Sequence, residues 1–273
     1  MRNVDRPSTI ASLRKGIDVL FLFSEAEPAL RLGEIADRLG LPKSSTSRFV
    51  STLRDAGLLT QDPETRRYQL GPRLLTLESA LLGAAQDLPA LARPFLQDLV
   101  ERSGETAHLT EPRGRVGVIT ELVESSHVLR MAPRRGQTVP LHAGALARTI
   151  LAFRPPDEID RILAQRPFSR LAPGTLPTPA AVRRALAEVR RDGYAVTLEE
   201  ITAAACGIAA PLLGADGWAV GSIGLSGPMA RLTESRRREL VGPVGRAAQE
   251  LSRLIRHHPE IVAARGRALP AGP

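Results

Sequence analysis

The sequence contains one cysteine, Cys206, among its 273 residues. A single cysteine cannot form a disulfide within the chain, and it cannot supply a cysteine-rich zinc site. No apolar run approaches the roughly 18 residues that a membrane-spanning helix needs, and the first residues lack the apolar segment of a signal peptide. We therefore expect a protein of the cytoplasm that has no contact with a membrane.

The sequence also lacks the common signatures of an enzyme. Its five histidines are scattered and do not recur at the spacing of metal ligands. Neither a nucleophile elbow nor a phosphate-binding loop is present. We therefore expect no catalytic activity, no cofactor and no metal. An acyl-transfer enzyme that uses Cys206 with a distant histidine is the alternative that this reasoning leaves open.

The composition suits a globular protein with an anionic partner. The chain is 43% hydrophobic and 24% charged, which is enough for one large or two ordinary domains with apolar cores. Its net charge of +8 favours nucleic acid as a partner. Residues 1–77 hold 12 basic and 9 acidic side chains, however, so the excess there is small. The case for DNA binding therefore depends on where particular cations lie.

The most informative stretch runs from residue 32 to residue 59. Its apolar residues recur at spacings of three, four and seven, which predicts two short helices. Gly40 can end the first in the left-handed conformation, and Pro42 suits the start of the second. The outward face of the second helix and its first turn carry Lys43, Ser44, Ser45, Ser47, Arg48 and Ser51. Small hydroxyls permit close approach to a DNA groove, and the two cations can reach phosphates or a guanine edge. A helix-turn-helix is therefore predicted, with an ordinary helical hairpin as the alternative.

A predicted β-hairpin follows this helix pair directly. Residues 58–61 and 66–70 alternate between apolar and polar side chains, and residues 62–65 between them have the composition of a turn. Arg66 and Arg67 are expected at the tip of the hairpin, where they would contact DNA phosphates. A helix-turn-helix followed by a basic hairpin is a winged helix-turn-helix.

These motifs together resemble the IclR-type bacterial transcription regulators. The GLPKS stretch at residues 40–44, ahead of a hairpin that ends RYQLG at residues 67–71, carries the first part of the resemblance. Further matches continue it to about residue 257: Gly104-Glu105-Thr106, Pro140-Leu141-His142-Ala143, Gly193-Tyr194-Ala195-Val196, Ile208-Ala209-Ala210-Pro211 and Leu225-Ser226-Gly227-Pro228.

The resemblance implies an α+β protein with a defined domain order. We expect a winged helix-turn-helix DNA-binding domain over residues 1–71 and a linker helix over 72–87. A GAF-like effector-binding domain over 88–257 and a disordered tail over 258–273 complete the chain. The periodicity itself also predicts helices flanking an antiparallel run of strands in the second domain.

Three local predictions can be compared with the structure. A first helix over residues 13–23 is expected to pack its Leu13, Ile17, Leu20 and Phe21 face into the winged domain. The leucines of the linker helix, Leu74, Leu75, Leu77, Leu81 and Leu82, are expected to be buried on a wide face. Residues 128–132 are expected to form a strand.

The resemblance also implies where an effector would bind. The implied contacts are Ala143, Gly144, Ala145, Glu199, Cys206, Gly207 and Ser226. Backbone N–H groups at the start of a helix near Gly144 suit a carboxylate. Relatives often carry Cys at the place of Gly207 and Ser at the place of Gly224. With glycine at both places, this sequence offers a ligand fewer polar side chains than those relatives do. That difference disfavours a small polar acid such as pyruvate or glyoxylate and leaves room for a larger or more aromatic ligand. Simple packing is the alternative for each of these small residues.

The functional prediction is a sequence-specific DNA-binding transcription regulator whose operator affinity is modulated by a small organic acid or aromatic effector. A single winged domain contacts too little DNA for typical operator affinity, so we expect a homodimer, or a homotetramer built as a dimer of dimers, on double-stranded operator DNA. Two alternatives stay open, namely a DNA-binding regulator whose second domain only oligomerises, and the enzyme that uses Cys206.

Overall fold

A computed structural model of the protein describes residues 10–24, 27–77, 87–164 and 170–258. The chain divides into two compact units, Met1–Ala84 and Ala85–Pro273, which are considered separately. The predicted burial of Leu81 and Leu82 and the predicted disorder of residues 259–273 lie outside the described residues. No described helix is long and apolar enough to cross a membrane.

The N-terminal unit is a helical domain with a small sheet. Its elements are α1 (Ala11–Leu20), β1 (Ala29–Leu30), α2 (Leu32–Leu39), α3 (Lys43–Asp55), β2 (Leu59–Gln61) and β3 (Tyr68–Leu70). The three strands pair antiparallel in the order β1-β3-β2. The predicted winged helix-turn-helix is therefore present, and residues 73–77 after the wing are helical.

The turn between α2 and α3 forms as the sequence predicts. Gly40 ends α2 with a φ of 61°, a left-handed conformation that glycine adopts without strain. The N–H of Leu41 donates back to the carbonyl of Ala36 over 3.0 Å. At the other end of α2, the carboxylate of Glu34 accepts a hydrogen bond from the backbone N–H of Arg31 over 2.7 Å, which is the contact that the glutamate of a capping box makes.

The predicted buried face of α1 is right only for Leu20, which packs against the core, and wrong for Leu13, Ile17 and Phe21. The helix ends at Leu20, and the residues that enter the core are Val19 and, just after the helix, Phe23. Leu13 and Phe21 are 61% and 82% exposed. The helix has apolar residues on two sides, and spacing alone cannot tell which of them meets the core. Leu75 and Leu77, predicted to be buried in the linker helix, are likewise exposed in the single chain.

The C-terminal unit is an α+β domain, as predicted. Its elements are α4 (Leu88–Ser103), β4 (Thr106–Arg113), β5 (Val116–Val123), β6 (Thr138–Pro140), α5 (Ala145–Ala152), α6 (Pro156–Leu163), α7 (Pro179–Asp192), β7 (Ala195–Leu198), β8 (Ala205–Leu213), β9 (Ala219–Pro228) and α8 (Glu234–His257). The six strands form one antiparallel sheet in the order β6-β5-β4-β9-β8-β7. The strand predicted over residues 128–132 is absent, because residues 124–137 form an irregular connection between β5 and β6.

Helices cover both faces of this sheet. Residues 106–111 of β4 are buried in succession, which an antiparallel strand shows only when both of its faces are covered. Helices α4 and α8 pack against each other and the strands, while α5 packs on the sheet together with α6 and α7. The start of α5 therefore lies against the sheet and can form a site there.

Candidate functional site

Helix α3 presents a polar and cationic face to solvent. Thr46 and Val50 are buried against the core, whereas Lys43, Ser44, Ser47 and Arg48 are exposed and Ser45 and Ser51 are half-buried. The Thr46 hydroxyl donates to the carbonyl of Pro42 over 3.1 Å, which ties the first turn of the helix together. The predicted recognition residues thus share one accessible side of α3.

The two arginines of the wing have different environments. Arg66 lies exposed at the tip with a φ of 58°, and its N–H donates to the carbonyl of Asp62 over 3.0 Å. Arg67 instead donates from Nη1 to the carbonyl of Ala29 over 2.9 Å, and it approaches Glu34 to 3.6 Å. Both arginines therefore belong to the loop between β2 and β3, as predicted, but the side chain of Arg67 ties this loop to β1 and α2.

The turn of the wing is organised by Asp62. Its carboxylate accepts hydrogen bonds from the N–H of Thr65 over 2.7 Å and from the N–H of Glu64 over 3.0 Å. The hydrogen bonds from Thr65 are the main reason that the pKa of Asp62 lies below its ordinary value. The aspartate therefore stays ionised and holds the turn that exposes Arg66.

The C-terminal unit contains a cavity of about 210 Å³ between the start of α5 and the sheet. Of the predicted effector contacts, Ala143, Gly144, Ala145, Cys206, Gly207 and Ser226 line it. Strand register explains why they converge: Thr197, Gly207 and Ser226 are cross-strand neighbours on β7, β8 and β9. Residues far apart in sequence therefore form one wall beneath the first turn of α5.

Glu199 is the exception among the predicted contacts, because it does not line the cavity. Its carboxylate accepts a hydrogen bond from the N–H of Ala204 over 2.8 Å and so closes the turn between β7 and β8. The next residue, Glu200, is buried in the cavity wall and accepts a hydrogen bond from the N–H of Gly144 over 2.9 Å. It also forms a buried ion pair with Arg148.

The N–H groups at the start of α5 are therefore divided between two uses. Gly144 donates to Glu200, whereas the N–H groups of Ala145, Leu146 and Ala147 belong to the first helical turn, where no intrahelical carbonyl can accept from them. These three residues line the cavity. A ligand carboxylate would meet this turn, not the N–H of Gly144.

Three glycines shape the site for different reasons. Gly144 has a φ of 79°, and a Cβ there would lie 2.8 Å from Cγ1 of Ile201. A Cβ on Gly224 would lie 2.2 Å from the carbonyl oxygen of Ile208, so its lack of a side chain reflects close strand packing. At Gly207 the contacts are milder, with 3.2 Å to the Cβ of Ala145, so this glycine opens space beneath α5.

Comparison with known proteins places the chain in a family. The model described as "IclR helix-turn-helix domain" matches residues 12–63, and the one described as "Bacterial transcriptional regulator IclR C-terminal" matches residues 82–253. The chain belongs to the IclR family. It is therefore a DNA-binding transcription regulator, as the sequence predicted.

Individual relatives span nearly the whole chain of this IclR-family regulator. It is 31% identical to the HTH-type transcriptional regulator KipR of Bacillus subtilis, covering 88% of this chain and 95% of KipR. It is 32% identical to the HTH-type transcriptional regulator BhcR of Paracoccus denitrificans, covering 89% and 86%. A crystal structure of an IclR homologue from Microbacterium hydrocarbonoxydans, complexed with 4-hydroxybenzoate, matches with a TM-score of 0.56 at 25% identity, covering 93% and 100%.

The relatives are transcription regulators, so the alternative of an enzyme based on Cys206 is rejected. The environment of the thiol agrees with this. Cys206 is 2% exposed, and burial raises its pKa to about 11, an effect that Arg237 only partly offsets. The thiol is therefore neutral near pH 7, whereas a nucleophilic cysteine has a lowered pKa.

The sequence reasoning missed six polar residues of the cavity wall, namely His108, Thr110, Gln137, Thr197, Glu200 and Thr202. His108 is buried, and desolvation lowers its pKa from 6.5 to about 4, so the imidazole is neutral at pH 7. The available signal was the polar residues at alternate positions 108 and 110, because two polar side chains on one buried side of a strand need partners.

Proposed function

We propose that this IclR-family regulator binds a small organic effector in the cavity beneath α5 and that this binding changes its affinity for operator DNA. The observation that supports the proposal is the cavity of about 210 Å³, together with buried polar side chains in its wall that have no partner among the described residues. Protein interiors are close-packed, so a void with such groups favours a ligand as the missing partner.

A small aromatic acid is the effector class that fits best. A dry engineered cavity of about 150 Å³ holds benzene, so the present volume has room for one substituted ring. The ligand of the Microbacterium hydrocarbonoxydans homologue, 4-hydroxybenzoate, is a compound of this kind. The first turn of α5 offers the N–H groups of Ala145 and Leu146 and the positive end of the helix dipole to a carboxylate.

For operator recognition we propose α3 as the reading helix. Arg48 is exposed near its middle and is assigned a base edge, while Lys43 and the exposed serines contact phosphates. Arg66 at the wing tip is assigned a further phosphate. Arg67 is assigned a positioning role, because its guanidinium is already engaged with Ala29 and Glu34.

We further propose that the regulator acts as a homo-oligomer, with a dimer as the basic unit. An exposed apolar stripe runs along α1 and the residue at each of its ends, at helical spacings of three and four; it consists of Ile10, Leu13, Ile17 and Phe21. Two copies related by a twofold axis could cover each other's stripe, and the same symmetry would present two α3 helices to the half-sites of a near-palindromic operator.

A thermal-shift screen of aliphatic and aromatic carboxylic acids tests the effector proposal. A ligand present at about one hundred times its Kd stabilises the native state by about 2.7 kcal/mol, which corresponds to a rise in Tm of about 5–10 °C for a domain of this size. Gly207→Val, which fills the space beneath α5, should abolish the rise. If no compound raises the Tm, or if Gly207→Val responds like wild type, the second domain serves only oligomerisation or binds elsewhere.

A further inference from the structure

Strand β4 directs polar side chains toward the cavity side of the sheet. Thr106, His108 and Thr110 lie at alternate positions, and the last two line the cavity. The Thr106 hydroxyl is fully engaged: it donates to the carbonyl of Met131 over 2.7 Å and accepts from the N–H of Ser125 over 3.2 Å. Thr106 therefore has a structural role in holding the connection between β5 and β6.

His108 and Thr110 have no such partners. Neither ring nitrogen of His108 nor the hydroxyl of Thr110 has a hydrogen-bond partner among the described residues, although His108 is 7% exposed and Thr110 fully buried. A buried polar group without a partner costs free energy, and folded proteins retain few of them. Two such groups, two residues apart in one cavity wall, are therefore well placed to contact a ligand.

The two side chains have different surroundings. The methyl group of Thr110 lies next to Gly117, where a Cβ would come within 2.7 Å of it, so little freedom is left to its rotamer. Opposite His108 on β9 stands Gly224, which has no side chain to cover the imidazole. The Thr110 side chain is thus held in place, which lowers the entropy cost of binding a ligand there, and the lack of a side chain at Gly224 leaves room beside the imidazole.

The pair carries no charge at neutral pH. A neutral imidazole presents one donor and one acceptor, and the threonine hydroxyl presents a donor and acceptor lone pairs. The carboxylate of Glu200, which lines the same cavity, is already paired with Arg148. A charged ligand group against His108 and Thr110 would lose its hydration without gaining a counter-ion. An uncharged hydroxyl group can donate to one of them and accept from the other.

We propose that His108 and Thr110 form a neutral hydrogen-bonding subsite that selects effectors carrying an uncharged hydroxyl group. This inference rests on the proposed effector function and narrows it to hydroxy-substituted aromatic acids, with the carboxylate at the first turn of α5. Analogues that carry a methyl group in place of the hydroxyl leave both protein groups unpaired, which sites built for a hydroxyl reject strongly.

The test compares 4-hydroxybenzoate with 4-methylbenzoate by isothermal titration calorimetry on the full-length protein. The two probes have nearly the same shape and differ in the hydroxyl group. Wild type should bind the hydroxylated probe at least about tenfold more tightly. Thr110→Val and His108→Leu should each bring this ratio close to one by weakening only the hydroxylated probe. His108→Gln, which retains a donor and an acceptor, should keep most of the preference.

Ser222→Ala is the matched control. Ser222 is buried, its hydroxyl lacks a partner among the described residues, and it lies opposite Thr110 on β9 without lining the cavity, so its loss should leave the ratio unchanged. Equal binding of both probes to wild type, or an unchanged ratio in Thr110→Val and His108→Leu, overturns the subsite while the effector proposal stands, provided that Gly207→Val blocks both probes. Binding of both probes that survives Gly207→Val overturns both proposals. If neither probe binds to wild type, the subsite for hydroxy-substituted aromatic acids is overturned, and the effector proposal is decided by the thermal-shift screen.

Discussion

The carboxylate of Glu200 accepts a hydrogen bond from the backbone N–H of Gly144 over 2.9 Å. The same carboxylate forms an ion pair with Arg148, one turn into α5, and both side chains are 6% exposed. Glu200 thus supplies a negative charge at the positive end of the helix and joins the turn between β7 and β8 to α5. The wall of the cavity is therefore held by an internal anion.

Breaking this ion pair from one side should be costly. Glu200→Ala leaves the Arg148 guanidinium buried without its counter-ion, and we expect a loss of about 3–5 kcal/mol in the free energy of unfolding. The double variant Glu200→Leu with Arg148→Met removes both charges and should lose less than Glu200→Ala alone. Urea unfolding measures the free energy of unfolding of wild type and of each variant. Glu199→Gln, at the neighbouring half-buried glutamate, is the control; the amide oxygen can still accept the hydrogen bond from Ala204, so the expected loss is about 1 kcal/mol or less. A loss of similar size in Glu200→Ala and Glu199→Gln would contradict the assignment.

The wing arginines should respond differently to alanine. Arg66→Ala is expected to weaken binding to all DNA sequences alike and to reduce the slope of log affinity against log salt by about one, while the Tm stays unchanged. Arg67→Ala should lower the Tm of the DNA-binding unit, because the wing loses its bond to Ala29 and its proximity to Glu34. Fluorescence anisotropy measures the binding of each variant to operator and to random DNA at several salt concentrations, and calorimetry measures its Tm. Together they distinguish a phosphate contact from a structural contact. Identical behaviour of the variants would show that Arg67 also acts as a simple phosphate contact.

Burial of His108 should make the protein sensitive to acid. Its pKa is about 4 when folded and 6.5 when unfolded, so the unfolded chain takes up a proton first as the pH falls. The contribution of His108 to the free energy of unfolding is therefore fully present above pH 6.5, and it is lost as the pH falls from about 6.5 to 4. Linkage predicts a loss of about 2 kcal/mol between pH 7 and pH 5 that is missing in His108→Leu. Chemical unfolding of wild type and His108→Leu at each pH measures the difference between their free energies of unfolding. If this difference stays the same from pH 7 to pH 5, His108 is not the source of the acid sensitivity.

The exposed stripe on α1 should control self-association. Phe21→Ser and Leu13→Ser remove apolar surface that is 82% and 61% exposed in the single chain. Each change acts twice in a twofold interface, so the dimer dissociation constant should rise at least about tenfold. Leu129→Ser, at a leucine that is 71% exposed in the other unit, is the matched control. Sedimentation velocity across a concentration series measures the effect, and a dimer constant equal to that of wild type would exclude α1 from the interface.

Features controlled by local backbone chemistry were predictable from sequence. Gly40 and Pro42 mark the turn of the helix-turn-helix because their conformational preferences act within a few residues. The start of α5 near Gly144 was placed in the same way. The α+β class of the second unit followed from periodicity alone, since period-2 and period-3.6 patterns differ clearly in long segments.

Features that depend on long-range packing were not predictable. Leu13 and Phe21 have the spacing of a buried helical face, but Val19 and Phe23 meet the core instead. Glu199 and Glu200 are adjacent in sequence, and only the geometry of the turn decides which of them enters the cavity wall. The convergence of His108 with the start of α5 depends on strand order, which a sequence read without its sheet register does not reveal.

The most direct test of the account is operator affinity measured against the concentration of a cavity ligand. The operator comes from sequencing the genomic DNA that the purified protein retains, and the ligand is the acid that raises the Tm most. We predict that saturating ligand changes operator affinity by at least about fivefold, in either direction, in wild type. Gly207→Val should bind operator normally without ligand and show no change with it. Operator affinity that stays constant in wild type while the cavity is saturated would contradict the account.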